Sequence, residues 1–210
     1  IRVPADLSSA AFVMLAALLS PDADVLIEGV GINPTRTGVI DILLSMGADI
    51  TIERRRDAGA EPVADIRVRS SRLRGLDVDP ALVSLAIDEF PVLFVAAAAA
   101  EGRTRFSGLA ELRVKESDRI AAMASGLRAL GVTVDETPDG ASIEGGRFTG
   151  GRVESHHDHR IAMAFSVAAS VADAPVTVTG VDNVDTSFPG FDALMRSIGL
   201  DLQARRPDAA

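Results

Sequence analysis

Two stretches of the sequence concentrate side chains able to do chemistry. Leu112-Arg113-Val114-Lys115-Glu116-Ser117-Asp118-Arg119 places five charges in eight residues and runs directly into an amphipathic segment over residues 120–130. Three cations beside a helix start can receive a phosphate or carboxylate, because guanidinium forks match both anions and the helix N-terminus adds positive potential. The same residues also make an ordinary solvated helix start, capped by Ser117 or Asp118. The second stretch, Glu154-Ser155-His156-His157-Asp158-His159-Arg160, holds all three histidines of the chain. His-His-x-His without a positioned further ligand is a weak metal pattern. The alternative sets Arg160 at a helix start against an anion, with His159 beside it and His156 and His157 in the preceding turn. Asp88 opens a third apolar run. By type it is a helix N-cap, yet a carboxylate aimed at a bound hydroxyl also serves as a general base. A Gly-rich phosphate loop, a zinc-protease helix and a Ser–His–Asp pattern are all absent from the sequence.

The elements that must position these residues recur three times. Asp6-Leu7-Ser8-Ser9, Asp88-Glu89-Phe90-Pro91 and Asp158-His159-Arg160 each lead into an Ala-rich apolar run, over residues 10–20, 92–102 and 161–171. Ala and Leu favour helix, and apolar character around most of the circumference predicts burial. Each run is followed by a short β-branched strand closing in Gly, over residues 25–29, 104–108 and 176–180. A polar loop, a second helix, another Gly (Gly47, Gly131, Gly199) and a final strand complete the unit. The leading Asp residues lie 82 and 70 apart, and the strand-end Gly residues 79 and 72 apart. Residues 50–52, 65–68 and 132–134 read as further strands, with turns over 54–62 and 137–140. The fold class expected is α/β of repeat type: three pseudo-symmetric βαβαββ units, helices inside and sheets outside. No composition shift divides the chain, so residues 1–210 read as one domain. Helices entering its middle in one direction would bring their positive ends together, where an anion is welcome.

Composition narrows the partners. The 210 residues carry 21 Lys and Arg against 30 Asp and Glu, a formal charge of −9, with 47% hydrophobic and 24% charged residues. That excludes disorder, and no uncharged stretch is long enough to span a bilayer. Absence of Cys removes disulfides, thiolate metal sites and a cysteine nucleophile, and agrees with a reducing compartment. Without Trp or Tyr, and with net negative charge, the chain is poorly equipped for nucleic acid. It opens Ile1-Arg2-Val3-Pro4, without a start methionine, and reads as cut from something longer.

The motifs resemble one family. Arg113-Val114-Lys115-Glu116-Ser117-Asp118-Arg119, Asp158-His159-Arg160-Ile161-Ala162-Met163 and Ser187-Phe188-Pro189 are similar to the signature series of the 5-enolpyruvylshikimate-3-phosphate synthases (3-phosphoshikimate 1-carboxyvinyltransferases). Asp6-Leu7-Ser8-Ser9-Ala10-Ala11 and Asn33-Pro34-Thr35-Arg36-Thr37-Gly38 fit as well. The resemblance covers the whole chain and implies an enolpyruvyl transferase-like fold of which this is the C-terminal domain, its N-terminal partner in cis being absent. It implies a cytoplasmic enzyme of the shikimate pathway and aromatic amino acid biosynthesis. That enzyme moves the carboxyvinyl group of phosphoenolpyruvate onto the 5-hydroxyl of shikimate 3-phosphate and releases phosphate, with no metal or other cofactor. Asp88 would take the hydroxyl proton, Glu116 would relay a proton at the methylene carbon, and Lys115 would contact the shikimate moiety. Arg119 and Arg160 would grip phosphoenolpyruvate. The domain alone is expected to bind anions with little or no turnover. Thr186 stands where many relatives carry lysine, and Glu111 where Asn is frequent, which marks a subclass. The competing readings are a UDP-N-acetylglucosamine enolpyruvyl transferase-like enzyme and a non-catalytic anion-binding domain.

Overall fold

A computed structural model describes residues 3–59 and 61–205. Ile1 and Arg2 of the chain start therefore lie outside the described residues. Three helices occupy the middle: α1 (Leu7–Leu19), α3 (Phe90–Ala99) and α5 (His159–Ala169). Each touches the other two. Their composition requires this position, since Phe90 to Ala98 of α3 are buried without interruption and a helix apolar all round has no face to offer water. Asp6 and Asp158 cap α1 and α5 by accepting from the Ser9 and Arg160 backbone N–H groups, each at 2.9 Å. In α3 the start is set by Pro91, whose missing N–H costs nothing in the first turn. Phe94 stacks on Phe106 at 5.0 Å, tying α3 to its strand.

Around this centre lie α2 (Gly38–Ser45), α4 (Arg119–Ala129), the four-residue α6 (Val184–Ser187), α7 (Phe191–Ser197) and three small sheets. The first sheet holds β1 (Asp24–Gly31), β2 (Asp49–Ala58) and β3 (Glu61–Arg69) in the order β1-β3-β2. The second holds β4 (Arg103–Phe106), β5 (Thr133–Thr137) and β6 (Gly140–Glu144) in the matching order β4-β6-β5. Both are antiparallel throughout. The third pairs β7 (Gly151–Glu154) with β8 (Val176–Thr179) in parallel. Parallel bridges from Ala5 to Val30 and from Asp77 to Arg105 supply the leading strand position of the first two units in rudimentary form. The chain is thus three α/β units with helices inside and sheets outside, as its repeats predict. No helix among the described residues is long and apolar enough to cross a membrane.

Three local expectations need correction. Residues 54–62 are not a turn: β2 runs to Ala58 and β3 resumes at Glu61. Arg54 takes a left-handed φ of 47° and absorbs a bulge between Glu53 and Arg56, so the charged run continues along a sheet edge where outward charges are tolerated. Opposite it, Asp65 is buried on the central strand, accepting from Arg56 at 2.9 Å and the Gly29 N–H at 2.9 Å. In the second unit the turn is shorter than 137–140, with Thr137 and Gly140 both paired in the ladder. Finally, Gly199 closes α7 at φ 102°, but among the described residues no strand follows it. The topology explains why: the strand after the second helix bonds to the strand that follows it, and among the described residues the third unit has none to offer.

Candidate active site

The starts of α1, α3, α4 and α5 meet at one end of the bundle. Asp88 lies in a 3₁₀ turn (Ile87–Glu89) that delivers the chain to α3. Glu89, not Asp88, occupies the cap position, and neither side chain makes a capping bond. The Asp88 carboxylate is instead 40% exposed and faces three cations. Its Oδ1 lies 3.3 Å from Arg119 Nη1 and 3.7 Å from Lys115 Nζ, and its Oδ2 lies 4.0 Å from Arg160 Nη2. Arg160 Nη1 also donates to the Asp88 backbone carbonyl at 3.0 Å. The reading of Asp88 as a helix cap is therefore replaced by a carboxylate turned toward the cations.

Arg119 organises the cluster. Its side chain is 1% exposed, and it donates from Nε to the fully buried Asp158 at 2.9 Å and from Nη2 to Glu116 at 2.6 Å. Ser117 Oγ adds a bond to Asp158 at 3.0 Å. Burial acts to raise the Asp158 carboxyl, but the bonds and charge of Arg119, with Ser117 and the Arg160 N–H, hold it below the usual carboxylate range. Glu116 and Asp88 thus sit on two nitrogens of one guanidinium. Lys115 Nζ bridges Asp88 and Glu111, the latter at 2.9 Å, and the bond to Glu111 raises its ammonium above the ordinary lysine value. All five predicted residues, Asp88, Lys115, Glu116, Arg119 and Arg160, are brought together.

Other expectations fare differently. Arg113 turns away from the site, donating to Asp118 at 2.7 Å, Glu136 at 3.0 Å and the carbonyls of Thr137 and Pro138. Asp118 caps α4 by accepting from the Ala121 N–H, so Ser117 is free for Asp158. The starts of α1, α4 and α5 are each capped by the chain's own Asp, so the groups able to meet an anion here are the cationic side chains and not open helix ends. The histidines do not converge: among the described residues no group of three or more His, Asp or Glu is disposed to hold a metal. His156 and His157 take left-handed φ values of 55° and 57°, held by Asn183 Nδ2 donating to the His157 carbonyl at 2.7 Å. That strained turn swings Asp158 inward toward Arg119. Burial, then the Arg160 charge, lowers His159 below the ordinary imidazole value. Thr186 is exposed on α6. Sequence reasoning missed Asp158 as the anchor of Arg119. It also passed over a signal in plain view, that Lys115 is the only lysine in 210 residues.

Comparison with known proteins shows the family. Residues 1–195 match the EPSP synthase (3-phosphoshikimate 1-carboxyvinyltransferase) family. The chain belongs to the EPSP synthase family. It is 59% identical over 203 residues to the 3-phosphoshikimate 1-carboxyvinyltransferase of Acidithiobacillus ferrooxidans (strain ATCC 53993 / BNL-5-31), covering 97% of this chain and 47% of that relative. The same enzyme of Halorhodospira halophila is 57% identical over 208 residues, covering 99% and 47%. A solved EPSP synthase from Acinetobacter baumannii superposes with a TM-score of 0.93 at 55% identity, over 95% of this chain and 47% of that one. The enolpyruvyl transferase NikO from Streptomyces tendae, at 18% identity and TM-score 0.70, shares the fold. The chain spans about half the length of the EPSP synthases it matches.

Proposed function

We propose that this chain is the C-terminal half of a two-domain 3-phosphoshikimate 1-carboxyvinyltransferase and carries the proton-transfer groups of its site. The observation that carries the reading is the single buried guanidinium of Arg119 bonded to both Glu116 and Asp88. Phosphoenolpyruvate brings carboxylate and phosphate oxygens that match the forks of Arg119 and Arg160. An incoming anion exchanges with the two carboxylates on Arg119 and frees them to move protons.

Glu116 then relays a proton to the methylene carbon, leaving positive charge at the neighbouring carbon. The acceptor hydroxyl attacks that carbon while Asp88 takes its proton, and Lys115 holds the reacting oxygen. From the tetrahedral adduct the carbon–oxygen bond to phosphate breaks, the methyl group returns one proton to Glu116, and Asp88 passes its proton to the departing phosphate. The products are the enolpyruvyl ether and phosphate. Fixed cations stabilise charge that develops in the adduct, and paired acid and base groups account for the proton movements. The other half of the protein supplies the rest of the substrate contacts, so the isolated 210 residues bind anions with little or no turnover.

The test is phosphate release by the full-length protein from phosphoenolpyruvate with each of two acceptors. Turnover with shikimate 3-phosphate and none with UDP-N-acetylglucosamine is expected. The reverse preference, or turnover with neither, overturns the reading.

A further inference from the structure

Behind the cation cluster lies a buried carboxylate with no part in the proton transfers above. Glu89 is 6% exposed, and its Oε1 accepts a hydrogen bond from Ser8 Oγ. The same oxygen stands 3.7 Å from Arg160 Nη1. Ser8 in turn accepts from Arg36 Nη2 at 2.9 Å. A chain of contacts therefore runs Arg36–Ser8–Glu89–Arg160, from the loop before α2 through the starts of α1, α3 and α5. Ser8 and Arg160 are each the second residue of their helix, and Glu89 immediately precedes α3. The repeat brings all three to helix starts at one end of the bundle, which is why three remote segments meet.

Burying a carboxylate is costly unless partners compensate it, and Glu89 makes no capping bond that would account for its retention. Burial pushes its carboxyl up, the Ser8 bond and the Arg160 charge pull it down, Asp88 adds repulsion and Arg36 further attraction. What the arrangement does achieve is restraint of Arg160. An arginine side chain loses rotamer freedom when a ligand immobilises it, and a fork fixed before the ligand arrives does not lose it on binding. The Asp88 carbonyl and the Glu89 carboxylate both hold Nη1, leaving Nη2 toward the Asp88 carboxylate and the site. We propose that Glu89, braced by Ser8, is a positioning residue that fixes the aim of Arg160. The first repeat, which supplies none of the five site residues, thereby governs how tightly the anionic substrate is gripped. This rests on Arg160 contacting phosphoenolpyruvate.

The experiment is steady-state kinetics of the full-length protein bearing E89A, E89Q, S8A and R160A, alone and with R160A combined with E89A or S8A. E89A is expected to raise KM for phosphoenolpyruvate about tenfold, with kcat and KM for shikimate 3-phosphate within about twofold. E89Q keeps an oxygen that accepts from Ser8 but loses the charge facing Arg160, and KM is expected to fall between those of the parent and E89A. In an R160A background the E89A effect disappears, because neighbours acting through one group are not additive. A KM within about twofold of the parent in E89A, while R160A raises it strongly, overturns the proposal and leaves the role of Arg160 intact. So does an E89A effect that persists undiminished in R160A. If R160A itself leaves KM unchanged, the role of Arg160 fails and the proposal fails with it. Should E89A not fold, S8A decides: a rise in KM that R160A abolishes supports the proposal, and no rise refutes it.

Discussion

Removing the Asp158 carboxylate should damage the fold more than any other single change in the site. Asp158 is fully buried and accepts from Arg119 Nε, Ser117 Oγ and the Arg160 backbone N–H, all within 3.0 Å. In Asp158→Ala the buried Arg119 loses its buried counter-charge, and breaking such a pair costs about 3–5 kcal/mol. Loss of the α5 cap contributes about 1 kcal/mol, overlapping with the first cost because one carboxylate serves both. Arg119 keeps Asp88 and Glu116, both partly exposed, so the expected loss is about 3–4 kcal/mol. At about 2–4 °C per kcal/mol for a chain of this size, the melting midpoint falls by about 6–16 °C. Urea titration of the 210-residue chain measures the free energy directly. Asp158→Asn keeps an acceptor for the Arg160 N–H and should recover about 1 kcal/mol. The folded carboxyl lies below the ordinary aspartate value of 3.8, so its stabilisation is present above that pH and lost as pH falls through the lowered folded value. Asp158→Asn should therefore flatten the acid limb of stability against pH. A loss under about 1 kcal/mol in Asp158→Ala, or an unchanged acid limb in Asp158→Asn, would refute the role given to this pair.

Two further changes probe the site and its scaffold. Because Lys115 is the only lysine and its ammonium is raised chiefly by Glu111, Glu111→Gln should move its titration downward in a side-chain NMR measurement. No downward movement would mean that Glu111 does not hold it. Gly126 on α4 faces the core, where an added Cβ would lie 2.2 Å from Phe165 Cζ and 2.8 Å from Val153 Cγ1. Gly126→Ala should destabilise by about 1–2 kcal/mol in urea despite the better helix propensity of Ala, and a gain in stability would contradict the packing.

Repeat spacing and motif residues make the frame and the five residues of the candidate site legible in the sequence, because helix runs, strand-end glycines and charged helix starts are local signals. What stays hidden is non-local. Arg54, Arg55 and Arg56 read as a turn because their charge suits one, while their place on a sheet edge depends on β3 arriving beside them with the buried Asp65. Arg113 and Arg119 look alike within one motif. Only the fold sends the first to the β5–β6 turn and buries the second against Asp158, 39 positions away. Asp6, Asp88 and Asp158 likewise look equivalent as leading residues of three repeats. A single 3₁₀ turn displaces Asp88 from the cap and releases its carboxylate to the cations.

Whether Asp88 is the group that takes the acceptor proton is best measured in the full-length protein, by single-turnover phosphate release with Asp88→Asn. The amide keeps the shape but cannot take the proton, and general-base loss typically costs about 10²–10⁴ in rate. A fall in that range is expected, with phosphoenolpyruvate still bound in equilibrium calorimetry. A rate within about threefold of the parent would contradict it.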